Sequence, residues 1–492
     1  MTVSQVRPDL EDRVTETTYP HRWLVLIFCL FASFMTTLDS TIVVVALPSI
    51  GRGIGASTSS LQWVVSGYAL AFGVIPILGG RLGDDLGRRR MLLIGIASFV
   101  ATSAMVGLSP SPGWLDLARV VQGLAAGIIN PQISGLVQRL FAPAERGAAF
   151  SAAGVSNSIA TACGPALAGV VILLAGPGVG WRLLFYINVP IGVLAFTVCR
   201  RLLPPDGPPA RRPLDIVGVL LLAGALFCTL FPAVQYDNDH DPLLLALLIP
   251  AAVLGVSFAR WERRMANSAR RPLIDLQLFR VRSFVSGLGV ALFFFGAFGA
   301  APLVLALYLQ DGLGFTAGRS GLVAAGYAAG SVLSAPLAGR LVQRHGRRLS
   351  VFGLCLFGLG MLLLATTVAV ATRATAPHTI GLLLIGPLVL AGLGGGCVSN
   401  PNQAMTLAEV NVGRGSTAGG MLQTSQRLGS ALGVAGVSTV FYALTSHAPA
   451  AGAAHRVVFG HAYASSIGIA VVFALGAMVF ALSDQSRRAG VS

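Results

Sequence analysis

The sequence predicts an all-α polytopic membrane protein in which two six-helix bundles flank two further spans, fourteen transmembrane helices in all. Three observations carry this expectation. Of the 492 residues, 54% are hydrophobic and only 11% charged, with a mean hydropathy of +0.76, which is far too apolar for a soluble protein of this size. The apolar residues fall in runs of about 20 or more, the length of one bilayer crossing, and short polar loops separate them. A polar hinge also occurs twice, 259 residues apart: Gly80 to Arg89 and Gly339 to Arg348 share Gly, Arg, Leu, Gly, Arg and Arg at matching positions.

The chain opens with a polar tail, residues 1–22, and the apolar run that follows is too long for the core of a signal peptide, so it is expected to stay as a span. The N-terminal bundle, 23–201, holds spans near 23–47, 61–80, 90–109, 114–138, 147–176 and 181–201. Between its second and third spans the hinge from Gly80 to Arg90 is expected as a tight loop. A linker, 202–282, carries the inserted spans 213–235 and 242–261 and ends in an arginine-rich stretch. The C-terminal bundle, 283–483, holds spans near 283–310, 317–340, 348–371, 379–407, 415–444 and 460–483, followed by a short tail, 484–492. Further parallels support the repeat: Asn130-Pro131 answers to Asn400-Pro401, and Arg146-Gly147 to Arg414-Gly415. Two similar halves imply a site between them near the midplane, exposed alternately to either side. One chain with two halves makes a complete pathway, so function as a monomer is expected.

All 34 basic residues are arginine, and the net charge is +15. With both termini cytoplasmic, 27 arginines fall in cytoplasmic segments and five in outer loops, while Arg119 and Arg427 lie inside spans. This is positive-inside topology for a multi-pass protein of the cytoplasmic membrane. The charge is scattered through loops and forms no continuous patch, which argues against nucleic acid as a partner. The absence of lysine, with the richness in Ala, Gly and Leu, points to a high-GC bacterium. All six cysteines sit in apolar runs and the seven histidines show no metal-ligand spacing, so neither a disulfide framework nor a metal site is expected. A chain without lysine has no P-loop, so no nucleotide or other cofactor is expected.

Several motifs resemble those of the major facilitator superfamily and, within it, the fourteen-span drug:proton antiporters. Gly80 to Arg89 resembles the superfamily's loop signature between spans 2 and 3. Leu38-Asp39-Ser40-Thr41-Ile42 followed by Ala46-Leu47-Pro48 is similar to the first-span motif of the fourteen-span group. Arg119 with Gln122-Gly123 is similar to the proton-coupling motif of span 4. Gly154, Gly164-Pro165 and Gly169 resemble the antiporter motif of span 5. Trp181-Arg182, Phe185, Asn188-Val189-Pro190 and Gly192 resemble the opening of span 6. The match runs from about residue 23 to 483. The resemblance implies the major facilitator fold and a transporter, not an enzyme, that exports hydrophobic or amphipathic drugs or antibiotics in exchange for protons. It also implies that the span 5 motif seals the cavity against leak. Competing readings are a proton-coupled importer of a small nutrient and a membrane-embedded enzyme. The second should show clustered His, Cys or paired acids, which this sequence lacks.

Asp39 is the one acid in the interior of any expected span. A charge there costs at least ~2.5 kcal/mol, and such residues mark ion or substrate pathways. A carboxyl alternating between burial and the field of an arginine can take up and release a proton. Arg119 should lie about 9 Å and Asp39 about 13 Å from the outer ends of their spans, at 1.5 Å per residue, so the two are expected to meet, directly or through water or Gln122. The expected substrate cavity draws on Tyr68, Gln122, Asn130, Asn400, Gln403, Gln423 and Arg427. Arg427 could meet an anionic group on the substrate, balance Asp39 across the cavity, or bond a backbone carbonyl. Ser156, Ala160, Gly164 and Ala168 recur at every fourth residue, a spacing for close helix packing, and Pro165 is expected to bend that helix. In the first hinge, Gly80, Asp84, Gly87, Arg88 and Arg89 are expected to form an inner gate that pairs when shut. In the second copy Gln343 replaces the acid, so its arginines are expected only to set topology.

Overall fold

The computed structural model describes residues 19–208, 215–239, 242–267, 272–372, 375–446, 448–449 and 452–488. Most of the expected N-terminal tail (1–18), parts of the linker (209–214, 240–241 and 268–271) and the last residues of the C-terminal tail (489–492) lie outside them.

Among the described residues every extended element is a helix. The first half comprises α1 (Arg22–Ile54), α2 (Thr58–Val74), α3 (Pro76–Leu86), α4 (Arg88–Gly107), α5 (Pro112–Leu140), α6 (Pro143–Tyr186) and α7 (Asn188–Leu202). Two helices follow, α8 (Ile216–Asp239) and α9 (Leu248–Asn267). The second half comprises α10 (Arg282–Leu307), α11 (Ala317–His345), α12 (Arg347–Ala371), α13 (Pro377–Ala408), α14 (Gly415–Thr445) and α15 (Ala453–Arg488). Among the described residues, eleven helices are long and apolar enough to cross a membrane, and the bent pair α2–α3 makes a twelfth, six to each half. The two inserted helices fall short of that standard: α8 offers a shorter apolar stretch, Ile216–Pro232, and α9 carries Arg260, Glu262, Arg263 and Arg264 within its length. Length and composition of the described helices thus account for twelve of the fourteen expected spans.

Two local expectations are corrected. The hinge is not a loop: residues 80–86 are the last turns of α3, and the chain reverses at Gly87 alone, whose φ of 110° lies in the region that favours glycine. The charges are paired: Arg81 with Asp85 at 2.8 Å along α3, four residues apart, and Asp84 with Arg88 at 2.8 Å across the turn at Gly87. The second span bends by 47° before this point, where Pro76 opens α3 and can supply no N–H to the preceding turn. Pro165, by contrast, leaves α6 helical. The break comes at Gly176, with φ 76° and ψ 162°, a backbone that glycine adopts at little cost.

The halves are built alike. In the first, α1 packs on α6 and α7, α5 on α2 and α4, and α4 on α7. In the second, α10 packs on α14 and α15, α13 on α11 and α12, and α12 on α15, which is the same set of pairings. The halves meet where α14 lies on α3 and α5, and where α6 lies on α11 and α13. Close backbone approach defines the first crossing: a Cβ on Gly80 would stand 2.2 Å from the Ser416 carbonyl oxygen, and one on Gly420 2.2 Å from that of Pro76. The inserted helix α8 leans on α2 and α14, with Trp63 against Phe231 at 5.9 Å.

Candidate functional site: a buried ion pair beside a polar cavity

Asp39 and Arg119 meet inside the first half, both fully buried. The Arg119 Nη1 donates to Asp39 Oδ2 at 2.5 Å and to Gln122 Oε1 at 2.7 Å, and its Nε donates to the Val64 carbonyl at 3.0 Å. The other carboxylate oxygen of Asp39 accepts from Gln122 Nε2 at 3.0 Å and from Asn188 Nδ2 at 2.9 Å. Ser103 Oγ takes a further bond from Gln122 at 2.7 Å. These bonds offset much of the cost of withdrawing the charge pair from water, although Arg119 Nη2 and Asn188 Oδ1 are buried without a hydrogen-bond partner. The Arg119 guanidinium also lies over the Tyr68 ring, 4.2 Å from its centroid, and Tyr68 donates its hydroxyl to the Thr36 carbonyl at 3.1 Å.

Four helices therefore converge on one carboxylate: α1 brings Asp39, α4 Ser103, α5 Arg119 and Gln122, and α7 Asn188. Asn188 and Ser103 did not stand out in the sequence as site residues. The signal for Asn188 was the Asn-Val-Pro run that opens α7, whereas nothing in the sequence distinguishes Ser103 from other serines in apolar runs.

One helical turn along α2 from Tyr68 stands Phe72, edge-on to it at 5.8 Å, and over Phe72 lies the guanidinium of Arg427, 3.9 Å from the ring centroid. Here a cavity of roughly 110 Å³ opens between the halves. Its amide and charged lining is Asn130 and Asn157 from the first half and Gln403, Gln423, Gln426 and Arg427 from the second, and its wall also includes hydroxyl side chains and the apolar Phe72, Ile133 and Phe150. Ser33 ties two of the amides, donating to Asn130 Oδ1 at 2.8 Å and Asn157 Oδ1 at 3.2 Å. Gln403 crosses between halves and donates to Ser134 Oγ at 3.1 Å.

Of the residues expected in a substrate cavity, Asn130, Gln403, Gln423 and Arg427 lie on the wall of this space. The other three are placed elsewhere. Gln122 is fully buried in the ion-pair cluster, with both ends of its amide taken by Asp39, Arg119 and Ser103. Tyr68 is 3% exposed and stands under Arg119. Asn400 is packed on α6, where a Cβ on Gly154 would stand 2.1 Å from its Nδ2. The span 5 motif is divided likewise: Gly154 and Gly164 are contact points, the latter against Thr41 of α1, while Gly169 has open space beside it and Pro165 is exposed. Ala160 and Ala168 are fully buried along the small-residue face.

At the end of the bundle that carries the hinge, Asp84 reaches across to the other half. It accepts from the backbone N–H of Ser416 at 3.2 Å and of Thr417 at 2.8 Å, and from the Thr417 hydroxyl at 2.8 Å. These amides are the unpaired donors of the first turn of α14, so Asp84 caps that helix from outside its own half. Arg88 braces the acid and donates to the carbonyls of Gly135, at 2.6 Å, and Val412. Arg89 turns away instead, donating to the Arg200 carbonyl.

The sequence pattern of the Major Facilitator Superfamily matches residues 29–316 and again 286–491. The chain belongs to this superfamily of transporters and is a multi-pass membrane protein. It is 35% identical over 428 residues to the probable actinorhodin transporter of Streptomyces coelicolor, covering 87% of this chain and 73% of that one. To the puromycin resistance protein pur8 of Streptomyces alboniger it is 33% identical over 486 residues, 96% of this chain and 93% of the relative. Among solved structures, that of the proton:xylose symporter XylE overlays with a TM-score of 0.61 at 15% identity, covering 93% of this chain and 95% of the other, a likeness of fold.

Proposed function

We propose that the protein is a proton-coupled antiporter that exports hydrophobic or amphipathic drugs or antibiotics across the cytoplasmic membrane by alternating access. The observation that carries this reading is Asp39: a fully buried carboxylate whose charge is balanced by Arg119 within one ring of contact of the cavity. The family supports transport, and the names of the actinorhodin transporter and the puromycin resistance protein support antibiotics as the cargo.

In this reading Asp39 and Arg119 stay paired while the hinge end is latched. Protonation of Asp39 removes one charge of the pair and frees the Arg119 guanidinium, which Tyr68 and Gln122 continue to hold in place. Because Asn188 and Gln122 also let go of a neutral carboxyl more readily than of a carboxylate, the packing of α1 against α5 and α7 relaxes. That is the step that links proton uptake to movement of the halves. The hinge end is cytoplasmic, both termini lie on that side, and α8 and α9 cross the membrane as an inserted pair to give fourteen spans. The proton gradient is the sole source of drive, and one chain suffices. At ~2.3 kcal/mol per charge per 100 mV, one inward proton sustains a substantial outward gradient of drug.

The test is uphill accumulation of puromycin and of fluorescent dyes in energised inside-out vesicles, comparing wild type, Asp39→Asn and an uncoupler at matched expression. Loss of accumulation with both the variant and the uncoupler is expected. Full uphill transport by Asp39→Asn would remove Asp39 from the coupling role, and accumulation indifferent to the uncoupler would overturn proton antiport itself.

A further inference from the structure

The principal buried arginines of the two halves are matched to carboxylates: Arg119 to Asp39, Arg88 to Asp84 and Arg347 to Asp484. Arg427 is not. It sits mid-helix on α14, keeps much of its surface uncovered, and among the described residues forms no ion pair or hydrogen bond. The nearest intramembrane acid, Asp39, is fully engaged by Arg119, Gln122 and Asn188 on the far side of Tyr68 and Phe72. Among the residues lining the cavity, Arg427 is the single formal charge.

From this arrangement we infer that the cavity binds an aromatic anion, a carboxylate, sulfonate or acidic phenol, whose negative group is held by Arg427 while its ring lies against Phe72 and Phe150. The inference rests on the exporter reading and narrows its cargo from amphipathic compounds in general to one sign of charge. The guanidinium lies over the Phe72 ring, its carbon 3.9 Å from the centroid, and its N–H edge takes no hydrogen-bond partner among the described residues. That edge is the fork that recognises a planar anion by paired hydrogen bonds. Gln423 and Gln426 flank it on the same helix, and the Gln423 Oε1 is buried without a partner, an acceptor left over for a hydroxyl or amide on the ligand. A cationic drug would meet an uncompensated positive charge in the same space and no carboxylate to offset it, which gives the site a repulsive element as well as an attractive one.

Two matched probes separate charge from shape: 8-anilinonaphthalene-1-sulfonate and N-phenyl-1-naphthylamine, which has the same rings without the sulfonate. Binding of each to the purified full-length protein, and uphill accumulation of each and of cationic ethidium in inside-out vesicles, would be measured for wild type, Arg427→Gln and Arg427→Lys. The wild type should bind the sulfonate at least tenfold more tightly than the neutral analogue and should move ethidium least. Arg427→Gln should weaken the sulfonate ten- to a hundredfold and the neutral probe less than threefold, with Arg427→Lys recovering part of the loss. Equal binding of sulfonate and neutral probe by the wild type, or an equal loss of both in Arg427→Gln, overturns the inference. Charge-selective binding without uncoupler-sensitive accumulation would instead count against the exporter reading and leave the anion site standing.

Discussion

The two copies of the hinge begin alike and end in different work. Each presents its first glycine to the opposite half: Gly80 to Ser416 on α14, and Gly339 to Gly147 and Ser151 on α6, where an added Cβ would stand 2.1 Å from the Ser151 hydroxyl oxygen. Among the described residues only the first copy follows this contact with a carboxylate that accepts hydrogen bonds across the interface, Asp84. At the matching position the second copy has Gln343, which is exposed. Its arginine is nevertheless no mere topological marker, as the sequence led one to expect. Arg347 is 3% exposed and turns inward, donating to Asp484 Oδ2 at 3.0 Å, Asn402 Oδ1 at 2.5 Å and the Ser283 carbonyl at 3.1 Å. One copy is therefore a latch between halves, and the other a clasp that binds α10, α12, α13 and α15 of its own half. An interface that must open can use a bond exposed to exchange on opening, whereas a bundle that moves as a rigid body needs one that never does.

The largest effect should come from breaking the clasp. Arg347→Ala leaves Asp484 as an uncompensated buried charge, a loss of about 3–5 kcal/mol. The detergent-solubilised protein should melt well below wild type and express poorly. Replacing both partners, as Arg347→Met with Asp484→Leu, should return most of the lost stability, because neither charge is then stranded. A single variant that melts with the wild type would mean that the clasp is ornamental and that the two copies differ less than their geometry implies.

That difference also marks what could and could not be read in advance. The halves, their repeat and the meeting of Asp39 with Arg119 were legible, because apolar run length, the hinge spacing and the depth of a charge in a span are all functions of position along the chain. The Arg347 clasp was not, since its acid lies 137 residues away at the end of α15 and a local reading sees only that Gln343 has replaced an acid. The misplacement of Gln122, Tyr68 and Asn400 has a related cause. A polar residue on an inward helical face can be turned either to a cavity or to another helix, and which one occurs depends on neighbours such as Gly154 that have no side chain to announce them. The helical state of residues 80–86 was hidden for the opposite reason: charges that suggest a loop one by one are compatible with a helix once Arg81 pairs with Asp85 at four-residue spacing and Asp84 with Arg88 across the turn.

A smaller and more specific effect should follow from weakening the latch. Asp84→Asn keeps the shape of the side chain but gives up the charge that faces the first turn of α14 and Arg88. The latched state should lose on the order of 1–2 kcal/mol relative to the open one, roughly tenfold in population. A cysteine introduced as Ser416→Cys, at a position fully buried in the latched state, reports this directly through its rate of maleimide labelling. Labelling should rise about tenfold with Asp84→Asn while the melting temperature changes little, and Gln343→Ala in the second copy should leave the rate unaltered. Equal responses to the two changes would erase the distinction between latch and clasp.

The smallest effect concerns the linker, whose Glu262 stands in the field of Arg81 from the first copy. The Glu262 carboxylate at the end of α9 accepts the backbone N–H groups of Leu273 at 3.1 Å and Ile274 at 3.0 Å, fixing the segment that leads into α10. Burial pushes this carboxyl up to about 6 from its ordinary 4.5, the two backbone N–H groups oppose the rise, Asp215 adds to it, and Arg81 of the hinge pulls it down. With the folded value above the unfolded one, the group favours the folded state fully below pH 4.5, and that contribution is lost as pH rises through 6. Stability should therefore increase by on the order of 1 kcal/mol between pH 7 and pH 5, once solvent screening is allowed for. Melting curves across that range should show the slope in wild type and a flatter profile in Glu262→Gln. Arg81→Gln should steepen the slope, because the arginine that now restrains the rise would be gone, and no comparable change is expected from Arg340→Gln at the matching place in the second copy. If Arg81→Gln and Arg340→Gln shift the profile alike, the linker is not coupled to the first hinge, and the asymmetry between the copies ends at the latch.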